Sequence, residues 1–174
     1  MTEESKAIAI RPILNLPDTM NLAKVFVESG FFTDTKTVAQ AVVKIMAGHE
    51  YGFGPFAALS GIHLIQGKPT LSPRGTLALI HQCGEMAGMK ITEKPGICTV
   101  WMKRKNGFEY EVSFSIEDAR RAGLVKPGGA WELYGANMAR WRAIGFCADV
   151  VFPDVIGGLR RADELGAAID ITGN

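Results

Sequence analysis

The 174-residue sequence has only three cysteines and three histidines, and neither type is spaced as a cross-link or a metal site would require. The cysteines are odd in number and stand far apart, at Cys83, Cys98 and Cys147. The lack of a CxxC or Cys/His spacing argues against both a disulfide framework and a structural zinc site. We therefore predict no metal site and a reducing, cytoplasmic environment.

Long hydrophobic runs are missing as well. No stretch of about 18 apolar residues occurs, and the first residues lack the apolar segment of a secretory leader. We expect an unexported protein with no membrane partner.

Three motifs of enzyme chemistry are absent, namely GxSxG, the phosphate-binding GxxxxGK[ST] and GxGxxG. The adjacent acids Glu117 and Asp118 are explained by capping of a helix. We predict no catalytic residues, no enzymatic activity and no required cofactor; the sequence leaves open whether Mg²⁺ takes part.

An excess of one charge is also missing, since 19 Lys and Arg face 18 Asp and Glu. Overall charge gives no sign of a nucleic-acid partner. Residues 103–161 hold ten basic side chains against seven acidic ones. Any phosphate-binding surface must therefore be local.

The order of helix and strand patterns predicts an α+β fold, in which a small antiparallel sheet packs with several helices. Helices are indicated from Asp18, as N-cap, to Gly30 and from about Thr35 to Tyr51. Ile62–Ile65 reads as a strand, and Ser72-Pro73 as the start of a helix. We predict a single domain over 1–174, with a flexible N-terminus at 1–16, a core at 17–165 and a frayed C-terminus at 166–174.

The clearest hairpin joins residues 97–103 to 108–114 through Asn106-Gly107, a pair typical of type I′ turns. Another short strand is indicated at 90–92. On a strand Lys103 and Lys105 share a face, and a basic hairpin tip can follow a phosphate backbone. Such a tip is as often a solubilising turn. Lys68 and Arg74 could add phosphate contacts nearby.

Residues 130–151 have the pattern of one continuous helix, which Pro153 ends. At about 100° per residue, Trp131, Tyr134, Met138 and Arg142 fall on one face, whereas Arg140 lies on the opposite side. Single-stranded nucleic acid suits such a face, because arginine holds phosphate and aromatic rings stack on bases. In the alternative interpretation, the aromatic residues belong to the core and the arginines are solvated.

Two blocks of the chain together resemble the RecT and phage lambda Beta family of single-strand DNA annealing proteins. The first block has Tyr51-Gly52 and Pro55, then Ile62, Gly67-Lys68-Pro69 and Gly84. The second has Trp131, Tyr134, Met138, Arg140, Arg142-Ala143 and Phe152-Pro-Asp154 through Gly157. The order and spacing agree over roughly residues 35–165. The chain departs from the pattern at Gly135, where family members commonly carry proline, and it lacks their longer polar C-terminal region.

The resemblance implies an annealing-protein-like core and a non-enzymatic, ATP-independent function. The protein would coat single-stranded DNA, form a ring or filament, and anneal complementary strands through a duplex intermediate in phage-type recombination. A phage exonuclease or a host single-strand binding protein would be a partner. The predicted DNA-binding residues are Lys68, Arg74, Lys103, Lys105, Trp131, Tyr134, Arg140 and Arg142. The alternative is a structural or regulatory protein-interaction module without DNA activity.

Overall fold

The computed structural model describes residues 15–65, 68–157 and 160–161. The chain divides into two compact units, Met1–Leu59 (unit 1) and Ser60–Asn174 (unit 2). The predicted α+β class is confirmed; the single-domain organisation stays a prediction. Of the predicted flexible N-terminus only Asn15 and Leu16 are described, and the predicted frayed C-terminus lies outside the described residues.

Unit 1 is helical. Its helices are α1 (Leu16–Glu28) and α2 (Val38–Glu50), followed by α3 (Pro55–Gly61), which runs to the start of unit 2 and was not predicted. The cap of α1 is Asn15 rather than Asp18, because the Asn15 side chain accepts a hydrogen bond from the Asp18 backbone N–H at 2.8 Å. Thr37 begins α2 with a reciprocal capping box to Gln40.

Unit 2 opens with strands β1 (Ile62–Ile65) and β2 (Lys68–Leu71), which pair antiparallel, while β6 (Arg160–Arg161) pairs parallel with β2. The predicted strand at 62–65 is thus confirmed. Helix α4 (Pro73–Gln82) begins where predicted, with the Ser72 hydroxyl accepting from the Gly75 backbone N–H at 3.0 Å.

A second sheet, the hairpin sheet, consists of β3 (Met86–Lys94), β4 (Ile97–Arg104) and β5 (Glu109–Ser115) in the order β3-β4-β5, all antiparallel. The predicted hairpin is confirmed, and β3 is longer than the predicted strand at 90–92. Its turn is not type I′, because the Gly107 N–H bonds to the Arg104 carbonyl and makes Lys105 and Asn106 the central pair. Gly107 follows them with φ 91°, as in three-residue hairpin loops.

The remaining helices are α5 (Ile116–Arg121), α6 (Ala130–Leu133), α7 (Gly135–Val151) and α8 (Pro153–Ile156). Helix α7 packs on β4 and β5, where buried Ala143, Ile144 and Cys147 share a core with Val100 and Met102. None of the described helices is both long and apolar enough to cross a membrane.

The predicted continuous helix over 130–151 is wrong, because Tyr134 leaves helical geometry at φ −133° and ψ 36°. Two tertiary contacts accompany the break. The Trp131 ring packs on Phe114 at 5.7 Å between centroids, and a Cβ added at Gly135 would lie 3.1 Å from the Ile116 Cδ1 atom. Angular positions therefore cannot be carried from Trp131 into α7.

Candidate nucleic-acid interface

The hairpin sheet has one face covered by α7 and one open face. On β4, Cys98, Val100 and Met102 are buried toward α7. The alternate residues Thr99, Trp101 and Lys103 therefore point to the other side of the sheet. Residues that are paired directly across two strands lie on the same face of a sheet. The strand pairing therefore places these residues on the open face as well: Gly88, Lys90, Thr92 and Lys94 of β3, Ile97 of β4, and Glu109, Glu111, Ser113 and Ser115 of β5.

Trp101 lies in the middle strand of the open face and is partly exposed. The benzene edge of its indole lies over Gly88, where an added Cβ would come within 3.0 Å of Cζ3 and 3.2 Å of Cη2. Glycine at this position leaves the ring room to lie over β3. The result is an aromatic group supported on a rigid sheet, which is the kind of surface on which nucleobases stack.

Strand β3 carries two lysines on the open face, one beside this indole and one further along the strand. Lys90 is paired directly with Trp101, and Lys94 lies four residues further along the same strand. Both are exposed, and neither makes an ion pair within the described part of the chain. Two lysines four residues apart on a strand are separated by about 13 Å. They form a basic edge on which an extended phosphate backbone can be held.

The β5 side of the open face is acidic. Glu111 is paired directly with Trp101. Glu109 forms an ion pair with Lys103, with 3.2 Å between Lys103 Nζ and Glu109 Oε2. Thr99 and Ser113, in the next row, share a hydrogen bond of 2.7 Å. The face is thus polarised across the strands, and a phosphate chain would be repelled from β5 and attracted toward β3.

The structure brings together only some of the predicted DNA-binding residues. Lys103 ends the open face and Lys105 is exposed in the adjoining turn. Arg74 is exposed in the first turn of α4, and Lys68 begins β2. Tyr134, 47% exposed, marks the junction between α6 and α7.

Trp131 and Arg142 meet on the α7 side of the sheet. Both contact Phe114: the Trp131 ring at 5.7 Å between centroids, and the Arg142 guanidinium at 6.0 Å from the ring centroid. Arg142 also lies 5.1 Å from the centroid of Phe146. Met138, predicted on the same face, is 2% exposed. Trp131 and Met138 thus pack as in the alternative interpretation, whereas Arg142 makes cation–π contacts instead of being solvated. The roles of these residues in binding DNA stay predictions.

Arg140 lies elsewhere on α7 and forms a two-pronged ion pair with Glu93 of β3, at 2.8 and 3.0 Å. The hydrogen bonds from Arg140 lower the pKa of the Glu93 carboxyl, and those to Glu93 raise the pKa of Arg140. The pair borders a small cavity of about 120 Å³ next to Lys94, Ile97 and Cys98. A phosphate would have to compete with Glu93 for this guanidinium.

Arg104 joins two segments that stand out in the sequence, the basic hairpin tip and the Phe-Pro-Asp segment that begins at Phe152. Although it stands in the basic hairpin tip, its side chain points to the α7 side and binds both carboxylate oxygens of Asp154, at 2.5 and 3.1 Å. Its guanidinium also donates to the Val151 carbonyl and lies 5.2 Å from the ring centroid of Phe152, which is fully buried. The Phe-Pro-Asp segment therefore anchors the hairpin to the end of α7.

We expect Asp154→Asn to weaken unit 2 in a pH-dependent way. The hydrogen bonds from Arg104 lower the pKa of Asp154, so the stabilisation is complete above the ordinary Asp pKa of about 3.9. It is lost as pH falls through the lower folded-state pKa. The difference in unfolding free energy between wild type and Asp154→Asn should be constant above about pH 5 and vanish in strong acid. Tryptophan fluorescence in a denaturant series at several pH values measures it.

The matched control is Glu117→Gln, since Glu117 pairs with Arg120 on an exposed helix surface at 3.1 Å. This exchange should change stability by less than about 0.5 kcal/mol at any pH. Equal effects of the two exchanges would contradict an anchoring role for Asp154.

Four residues of this face were not predicted from the sequence, namely Gly88, Lys90, Lys94 and Trp101. The position of Trp101 could have been inferred from the sequence, because it stands two residues before Lys103 on the same strand and therefore shares its face. The extent of β3 and its register were needed to place the β3 lysines beside that indole.

Neither the models of known protein families nor the characterised proteins compared with this chain give a match. The RecT and Beta resemblance therefore stays a prediction based on its motifs.

Proposed function

We propose that this protein binds single-stranded DNA on the open face of the hairpin sheet and anneals complementary strands without ATP, as a homo-oligomer. Trp101 carries the proposal. Its indole lies at the centre of a solvent-facing sheet surface, supported over Gly88 and bordered by Lys90 and Lys103, with Lys94 further along β3. An aromatic platform beside a row of cations is the combination that single-strand binding surfaces use.

This arrangement also fits annealing. Lysine contacts would hold phosphates, and the indole would contact the flat face of a base. Neither interaction uses the hydrogen-bonding edge of the base, which stays available for a complementary strand. Because binding rests on phosphate charge and stacking, it should show little sequence preference and a strong dependence on salt. No step of this process requires a catalytic group.

The acidic strand gives the bound DNA a defined position. Glu111, directly across from Trp101, would disfavour phosphates on the β5 side. The backbone would then run along β3, past Lys94 and then Lys90, toward the turn with Lys103 and Lys105. Of the eight residues predicted from the sequence, these last two belong to the proposed surface. In a cell the protein would act in the cytoplasm, with a phage exonuclease or a host single-strand binding protein as partner.

The test is a fluorescence-anisotropy titration of a labelled single-stranded oligonucleotide with wild type and Trp101→Ala. Loss of one stacking platform is worth about 1–3 kcal/mol, so the affinity should fall roughly 5- to 150-fold. Quenching of tryptophan emission in a Trp131→Phe/Trp141→Phe variant, where Trp101 is the sole tryptophan, gives an independent readout of stacking.

Two double lysine exchanges with the same change in net charge form the matched control. Lys90→Ala/Lys94→Ala removes cations of the open face, whereas Lys24→Ala/Lys126→Ala removes exposed cations elsewhere. The first pair should reduce the slope of log affinity against log salt by about 1–2, and the second should leave it unchanged. Salt-dependent binding by a folded Trp101→Ala variant at wild-type affinity would refute the proposed surface, and no binding by wild type at low salt would refute the function.

The alternative, a protein-interaction module without DNA activity, is favoured by one feature of unit 1. Four phenylalanines, Phe26, Phe31, Phe32 and Phe56, form a cluster with ring centroids 5.2–6.4 Å apart. Phe31 is 70% and Phe56 is 55% exposed, so apolar rings face solvent. Exposed aromatic groups of this kind often mark protein contacts. Self-association that depends on Phe31 and Phe56, in a protein that does not bind DNA, would favour this function.

A further inference from the structure

The two edges of the hairpin sheet are long and exposed. All residues of β3 from Lys90 to Lys94 are exposed. In β5, all residues from 109 to 113 are exposed except Val112. Among the described residues, neither strand pairs with a second strand on its outer side. Proteins usually shorten, cover or charge such edges, because they can pair with another chain.

On the open face the charges of these two edges are of opposite sign, whereas Glu93 of β3 points to the α7 side and is paired with Arg140. The β3 edge presents Lys90 and Lys94 on the open face, and the β5 edge presents Glu109 and Glu111 on that same face. If both edges carried lysines, two copies of the chain would repel each other at these edges. A basic edge and an acidic edge instead allow contact between unlike edges and oppose contact between like edges.

The registers show what such a contact would bring together. Because β3 and β5 are both antiparallel to β4, they run in the same direction, so β5 of one copy can pair in parallel with β3 of the next. Lys90, Trp101 and Glu111 form one row across the sheet, and Ile91, Val100 and Val112 form the adjacent row. If these rows continue into the next copy, Glu111 of one copy lies opposite Lys90 of the next, and Val112 lies opposite Ile91 of the next. Ile91 is 40% exposed in the single chain.

We infer that copies of this chain assemble head to tail, with the acidic β5 edge of one copy paired to the basic β3 edge of the next. A contact between two different surfaces of the same protein generates a ring or a filament. Each copy adds three strands, so successive Trp101 side chains would recur about every 14 Å along one continuous sheet face. The inference rests on the homo-oligomer of the proposed function and names its contact surfaces. In the assembly Lys90 is paired with Glu111 of the neighbouring copy, so Lys94, Lys103 and Lys105 are the cations of this surface that remain for the DNA backbone.

Charge reversals test this assembly without DNA. Lys90→Glu places two acids at the contact and Glu111→Lys places two bases there, so each variant alone should self-associate at least tenfold more weakly than wild type at low salt. The double variant Lys90→Glu/Glu111→Lys should regain assembly. An equimolar mixture of the two single variants should assemble as well, because each supplies the edge that the other needs. Sedimentation velocity over a concentration series measures all four.

Hydrogen exchange provides a readout that net charge alone cannot produce. Peptides covering 86–94 and 109–115 should gain protection as wild-type concentration rises, and a peptide of α4 should not. A wild type that stays monomeric at high concentration, reversals without effect, or a mixture that stays monomeric would each overturn the inference. The DNA titration of Trp101→Ala decides the proposed function separately, since Trp101 lies in the central strand rather than at an edge.

Discussion

Gly48→Ala should destabilise unit 1 strongly, although alanine is the better helix former by about 1 kcal/mol. Gly48 lies in α2 where α3 crosses it, and an added Cβ would stand 2.2 Å from the Cβ and 3.1 Å from the Cα of Ala58. Because the nearest atoms belong to backbone and a side chain without rotamers, the overlap can be relieved only by moving α3. Overpacking of this kind costs roughly 3 kcal/mol. Amide hydrogen exchange in peptides of unit 1 would measure the loss.

Ala58→Gly provides the matched rescue. Alone it should cost about 1 kcal/mol, because it puts glycine into a helix. In the double variant Gly48→Ala/Ala58→Gly the methyl group is exchanged between the two helices, and the 2.2 Å contact is removed. The double-mutant cycle should therefore give a favourable coupling of about 2 kcal/mol. Additive effects would mean that α2 and α3 do not approach each other closely here.

Local signals in the sequence were sufficient for most elements of the fold. The Ser72-Pro73 pair begins a helix where the sequence predicts one, because capping requires only neighbouring residues. The hairpin of β4 and β5 followed from alternation and a turn pair. Helix α3 was not predicted, although its first residue is Pro55 and proline suits the first position of a helix.

The candidate site was less predictable because it depends on tertiary contacts. The helical pattern over 130–151 was strong, yet packing of Trp131 on Phe114 accompanies a break at Tyr134. Arg104 and Asp154 are 50 residues apart in the sequence, so no local pattern could reveal that the hairpin tip and the Phe-Pro-Asp segment are one anchor. Lys90 and Trp101 likewise become neighbours only through the register of β3 and β4.

Lys44 is a buried charge in unit 1, and the loss of its counter-ion should cost more than the loss of the lysine itself. The Lys44 ammonium is 0% exposed and donates to Asp34 Oδ2 at 2.8 Å, Thr35 Oγ1 at 2.9 Å and the Leu59 carbonyl at 3.2 Å. Asp34, by contrast, is 40% exposed and can be solvated by water. Lys44→Met should therefore cost about 2 kcal/mol in lost hydrogen bonds. Asp34→Ala should cost about 3 kcal/mol or more, because it leaves a buried cation without an anion.

The pH dependence of Lys44→Met tests the same burial. Desolvation lowers the pKa of Lys44, so between its folded pKa and the unfolded value of about 10.4 the unfolded chain binds more protons. Wild-type stability relative to Lys44→Met should therefore rise as pH increases through this range, and level off above it. Lys24→Met, at an exposed position of α1, should show no such rise. A difference between wild type and Lys44→Met that stays constant with pH would mean that the ammonium keeps its hydration in the folded protein, and the asymmetry expected between Asp34→Ala and Lys44→Met would then disappear as well.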